Sequence, residues 1–127
     1  MNILALDYGT KRIGLAWTDT ALGVVLPYGV IEQSDFGLQT SAVADLVKRE
    51  KIGQIVVGWP LGLDGKENEN TKRVRSFIAK LKSEVRLQIA VIDERFTSAE
   101  ADRFGDVGVS RDEKAAMIIL QNYLDSR

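Results

Sequence analysis

Three carboxylates in unusual settings frame the chemistry open to this chain: Asp7 in ALDYGTKRIGLAW, Glu94 in IAVIDERFTSAEA and Asp112 in SRDEKAAMIILQNYL. The first two follow apolar, strand-like runs, and the third opens a helical pattern. Ending core strands in unpaired acids contributes little to stability, so the repeated feature asks for another purpose. Were the three to converge, they would form an oxygen-lined site for magnesium or manganese, the hard ions that position and polarise phosphate groups. The matching chemistry is phosphoryl transfer or phosphodiester hydrolysis.

Composition supports carboxylates by elimination. The chain has neither cysteine nor histidine, which removes disulfides, thiolate nucleophiles, imidazole bases and His- or Cys-ligated zinc. Carboxylates, lysines and tyrosines remain as catalysts. Seventeen basic and eighteen acidic residues give a net charge of -1, so nucleic acid would have to be held by a local patch and bound metal. With 45% hydrophobic and 28% charged residues over 127 positions, one folded core is expected, as a single domain over 1–127. The apolar segment at Ile3 has no basic leader, and no apolar run approaches the roughly 18 residues of a membrane span. A cytoplasmic protein without a membrane partner is expected.

The elements that must position these acids follow from periodicity. Residues 2–7 and 13–18 read as strands around a tight turn at Gly9-Thr10-Lys11, and 23–31 as a third strand. Between Leu38 and Glu50, Ala42, Val43, Leu46 and Val47 recur at helical spacing, and a strand follows at Gln54 to Val57. A second helix near Asn68 to Glu84 puts Val74, Phe77, Ile78 and Leu81 on one face, before a strand at Leu87 to Ile92. Thr97 with Glu100 makes a capping-box pattern for a short helix that Gly105 would stop, and Ser110 with Glu113 repeats it for the last helix. The order βββ-α-β-α-β-α-α predicts an α/β fold. Its five-stranded mixed sheet would run from an antiparallel meander into parallel strands, with helices on both faces and sites at the carboxyl ends of the parallel strands. Asp7 and Glu94 fall at such ends.

Each acid also has an ordinary explanation. Asp7 can bond its own turn, with Lys11 and Arg12 as solvated turn residues, and Glu94 can pair with Arg95. Asp112 sits in a first helical turn, where the dipole favours a carboxylate by about 0.3–1 kcal/mol. Alternation also leaves open whether Asp93 or Glu94 faces a site. The combination, more than any one acid, needs explaining. In the middle of the chain, Gly58-Trp59-Pro60-Leu61-Gly62 through Gly65 either shapes a turn or forms a loop whose N–H groups and Trp59 ring meet a nucleic-acid strand. Trp59 suits a core equally well. Lys66, Lys72, Arg73 and Arg75 follow on the same edge, as a solvated helix face or as phosphate contacts.

Four segments in order, LALDYGTKRIGLAW, IVVGWPLGLDG, DERFTS and DEKAAMIILQNYL, resemble the YqgF/RuvX family nearly end to end. These bacterial proteins are described as Holliday junction resolvases and as nucleases that process the 5′ end of pre-16S ribosomal RNA. The resemblance implies a ribonuclease H-like fold with Asp7, Glu94 and Asp112 as the metal-binding catalytic acids, favouring Glu94 over Asp93. It makes Lys11, Arg12 and Arg95 candidates for phosphate contact. It implies a Mg2+- or Mn2+-dependent endonuclease acting on precursor rRNA, with the ribosomal small subunit as a partner, or else on branched DNA. The segment from Thr97 to Asp112 is shorter than in the family and keeps only Arg103 and Arg111 of its usual basic run.

In that mechanism two ions roughly 4 Å apart share Asp7 and are completed by Glu94 and Asp112, one generating hydroxide and the other stabilising the departing 3′ oxygen. If Glu94 follows a strand two places from that of Asp7, the acids must bridge a backbone gap of roughly 9–10 Å. A single ion is the alternative. Two rival functions remain: an actin-like ATPase or sugar kinase, because DYGTKRIG also looks like a first phosphate loop, and a non-catalytic RNA-binding ribosome-assembly factor. The chain shows one such loop and no second D-x-G-T motif, which weighs against the ATPase. Monomer and homodimer fit the sequence equally.

Overall fold

A strand buried on both faces has to run through the middle of a sheet, and the first strand has that character. In the computed structural model, which describes residues 1–61, 64–93 and 108–126, β1 (Asn2–Tyr8) sends Leu4 and Leu6 to one core and Ile3 and Ala5 to another. It is the third of five strands in the order β3-β2-β1-β4-β5. Strands β2 (Arg12–Asp19) and β3 (Leu26–Glu32) complete an antiparallel meander, while β4 (Ile52–Trp59) and β5 (Ile89–Asp93) run parallel to β1. This is the mixed sheet that the sequence predicts, with β5 two places from β1.

Helices cover both faces. Against Leu4 and Leu6 pack α1 (Phe36–Arg49), through Val43 and Val47, and α2 (Glu69–Glu84), through Val74, Phe77 and Leu81. On the opposite face α3 (Arg111–Asp125) lays Ala116, Met117, Ile119 and Leu120 over Ile3, Ala5, Ala16 and Val56. Burial on the first face is built from large side chains, whereas the strands beneath α3 offer alanines. The helix therefore rides close to the sheet.

Boundaries differ from the sequence reading where local bonding outweighs apolar pattern. Residues 23–25 are apolar but not strand: the N–H groups of Leu22 and Gly23 both bond the Asp19 carbonyl, and Gly23 has φ +70. Thr18 Oγ1 then donates to the Val24 carbonyl at 2.7 Å, and Val25 is buried without joining the ladder. Helix α1 begins two residues before Leu38 because the Asp35 carboxylate accepts the Leu38 N–H at 2.9 Å as an N-cap. The predicted Gln54–Val57 strand extends at both ends. The predicted Leu87–Ile92 strand starts at Ile89 and ends at Asp93, the Gln88 carbonyl being taken by Ile55 N–H and Gln54 Nε2. The short helix expected from Thr97 to Gly105 lies outside the described residues. Among the described residues no helix is long and apolar enough to cross a membrane.

Candidate active site at the carboxyl end of β1

Alternation along β1 carries Ile3 and Ala5 to the α3 face, and the next residue in that series is Asp7. Its partner on β2 is Gly14. A Cβ built on Gly14 would lie 2.0 Å from the Asp112 carbonyl oxygen and 3.0 Å from the Asp112 Cβ. Only a residue without a side chain lets the first turn of α3 rest there. The sheet register and this one glycine thus place Asp112, in the first turn of α3 and 105 positions from Asp7 in sequence, over the β2 partner of Asp7 on the same face of the sheet.

Two features fix the Asp112 end. Ser110 Oγ accepts the Glu113 N–H at 3.1 Å while Glu113 Oε1 accepts the Ser110 N–H at 3.2 Å, the capping box expected from the sequence. Arg12 Nε lies 3.1 Å from Asp112 Oδ2. With Arg12 61% exposed, that pair contributes about 0–1 kcal/mol to stability, so its effect is to orient the carboxylate.

The opposite side of the same turn is held by a residue the sequence reading missed. Gln39 is buried, and its Nε2 shares its two hydrogens among the carbonyls of Gly9 at 3.1 Å, Thr10 at 3.2 Å and Gln33 at 2.7 Å. Its Oε1 accepts the Tyr8 hydroxyl at 3.0 Å. Tyr8 packs its ring 4.4 Å from that of Phe77. Burial raises the Tyr8 pKa, and the nearby positive charge of Arg73 pulls it back down. At Gly9 an added Cβ would meet the Arg12 carbonyl at 2.6 Å, so the turn admits little else. A polar residue among apolar helical positions carries no sequence signal for such a clamp. The Gly14 approach had one, because Gly14 and Ala16 are small at alternate positions of one strand.

The remaining predicted residues spread along this edge. Trp59, at the end of β4, is half-buried against the α1–α2 core with the Arg75 guanidinium 5.4 Å above its ring, and Arg75 also pairs with Glu67. Lys11 and Lys66 are exposed, and the Lys66 N–H bonds Asp64 Oδ1 at 2.9 Å. Ala90 and Ile92 of β5 pack toward α3, which puts Asp93 on the other face from Asp7. Glu94 and Arg95 lie outside the described residues. Among the described residues no three acids gather closely enough to hold a metal ion. Asp7 and Asp112 are nevertheless hard oxygen donors of the kind magnesium and manganese prefer, so the chemistry of these side chains suits such an ion.

Residues 1–126 match the RuvX family, described as Holliday junction resolvase. The chain belongs to the RuvX family. Relatives named "Putative pre-16S rRNA nuclease" include one from Maridesulfovibrio salexigens, 38% identical and covering 98% of both chains. Another, from Dictyoglomus turgidum, is also 38% identical and covers 99% of this chain and 95% of its own. Solved structures place this RuvX chain in the ribonuclease H-like fold. Thermus thermophilus RuvC in complex with a Holliday junction substrate superposes with a TM-score of 0.70 at 13% identity, covering 94% of this chain and 89% of that one. The fowlpox virus Holliday junction resolvase gives 0.62 at 13% identity over the whole of both chains. At such identities these two structures speak for the fold.

Proposed function

We propose that this chain is a divalent-metal-dependent endonuclease that hydrolyses phosphodiester bonds in precursor 16S rRNA, with Asp7, Glu94 and Asp112 as its catalytic acids. The observation that carries the reading is the packing of Asp112 over Gly14, the strand partner of Asp7, at the carboxyl end of the central strand. The position of Asp93 on the opposite face supports Glu94 as the third acid. The names of the relatives supply the substrate.

The three acids would hold magnesium or manganese, which when bound supplies Lewis acidity at the phosphate and lowers the pKa of water. In the reaction a water oxygen forms a bond to phosphorus and the bond to the 3′ oxygen breaks. The 3′ oxygen gains a proton, leaving a 5′-phosphate. Asp7 and Asp112, held on strand and helix, orient the reacting groups, and Arg12 keeps Asp112 in register. Lys11, Arg95 and Lys66 are proposed to touch the nucleic acid around them. A four-way DNA junction is the second substrate reading, favoured by the family's description as a resolvase.

The test is cleavage of a labelled precursor rRNA fragment and a labelled four-way junction with magnesium or manganese, comparing wild type with Asp7→Asn. Cleavage of the RNA that vanishes in the variant is expected. Equal cleavage by a folded Asp7→Asn protein would remove Asp7 from the mechanism, and cleavage of the junction alone would exchange the substrates.

A further inference from the structure

Beyond the acids, the same edge carries a groove that these assignments touch only at Asp7. Two concavities of about 500 and 380 Å³ adjoin along this edge, sharing Tyr8, Thr10 and Arg73 as walls. The groove starts at Asp7, follows the β1–β2 turn and ends at Ser34 and Phe36 before and at the start of α1. Each part is the size of an ordinary small-ligand site.

Its chemistry is both cationic and aromatic. The α2 wall presents Lys72 and Arg73. Arg73 bonds Asn70 Oδ1 at 3.0 Å and has no carboxylate partner among the described residues, unlike Arg12, Arg75 and Lys80, each of which faces an acid. Among the described residues Lys72 pairs with the exposed Glu69, at 3.4 Å. Phe36 lines the same concavity and is 41% exposed, a large apolar surface beside the two cations. Among the described residues, Asp7 is the one acid lining either part. The floor is rigid, because Gln39 ties Tyr8 and both turn carbonyls together.

We infer that this groove holds the single-stranded flank of the nucleic-acid substrate beside the scissile phosphate, one unstacked nucleotide setting its base on Phe36 and its phosphate on Arg73 and Lys72. Stacking on an exposed ring and a phosphate on a guanidinium are the two contacts by which single strands are gripped without regard to sequence. That the strand is a substrate rests on the nuclease reading; that the groove binds it does not.

The experiment is fluorescence anisotropy of a labelled ten-nucleotide single-stranded RNA in the presence of chelator, which prevents cleavage. The proteins are wild type, K72A/R73A, F36A and, as a charge-matched control on the far half of the same helix, K80A/K82A. K72A/R73A should lose about tenfold or more in affinity at low salt and flatten the log affinity against log salt plot by one to two charges, while F36A should lose fivefold to a hundredfold with an unchanged salt slope. K80A/K82A should bind as wild type does. Equal losses in the two double variants, or normal binding by F36A with a normal circular dichroism spectrum, would overturn the assignment. So would tight Arg73-dependent binding of adenosine monophosphate that the RNA cannot displace. Groove-dependent binding without any metal-dependent cleavage would instead sink the nuclease reading and leave the groove standing.

Discussion

The two faces of the sheet meet at the carboxyl end of β1, and they are built by opposite means. On the α3 face the site depends on what is missing: Gly14 has no side chain, Ala5 and Ala16 are small, and α3 comes close enough to deliver Asp112. On the α1–α2 face it depends on something added, a buried glutamine whose amide joins Tyr8 to the turn after Asp7. Close approach of a helix tolerates no insertion, while a polar clamp tolerates no deletion. The first face positions the acids, and the second keeps the backbone beside them from shifting.

That contrast can be broken from either side. The largest effect is expected at the acid itself: Asp7→Asn should reduce cleavage to below about a thousandth of wild type, on the scale of losing an essential charge-positioning group. The melting temperature should stay close to wild type, because Asp7 lies at the edge of the core. Gly14→Val comes next. Its branched side chain would collide with the backbone of Asp112, so cleavage should fall steeply and urea denaturation should show a loss of about 1–3 kcal/mol or more. If Gly14→Val cut normally, Asp112 would not need its observed seat.

Gln39→Leu tests the other face. It strips three carbonyls and one hydroxyl of their partner, and about 1–3 kcal/mol should disappear in chemical denaturation. Cleavage should fall together with stability, in contrast to Asp7→Asn. Ser110→Ala should cost about 1 kcal/mol by removing the cap of α3, measurable as a lower urea midpoint. Smallest in stability is Arg12→Ala, about 0–1 kcal/mol for an exposed pair, yet it should slow cleavage severalfold by freeing the Asp112 carboxylate. A drop in stability without a drop in rate would reassign Arg12 to the fold.

Much of this architecture was legible before any coordinates. Leu4 and Leu6 against Ile3 and Ala5 mark a strand covered on both sides, and Ser110 with Glu113 marks the start of α3. Asp7 and Asp112 stood out because acids at strand ends and in first turns are local features. What escaped was non-local. Nothing near Gln39 announces that its amide will reach Gly9 and Thr10, some thirty residues away, because that contact exists only after α1 packs on the sheet. Residues 23–25 misled for a related reason: apolar content suggested a strand, but the Gly23 turn and the Thr18 hydroxyl claimed the backbone first. Trp59 could be read either as a platform for bases or as core, and in the structure it packs on core with Arg75 above its ring.

The seat of Asp112 on Gly14 makes the proposed pairing of acids depend on one helical turn being docked. Strand pairing alone sets Asp7 beside Gly14, whereas Asp112 reaches that place only with the start of α3 resting on the sheet. Local openings lie below global unfolding in free energy, and on the proposed mechanism one that lifted this turn would separate the two acids before the fold was lost.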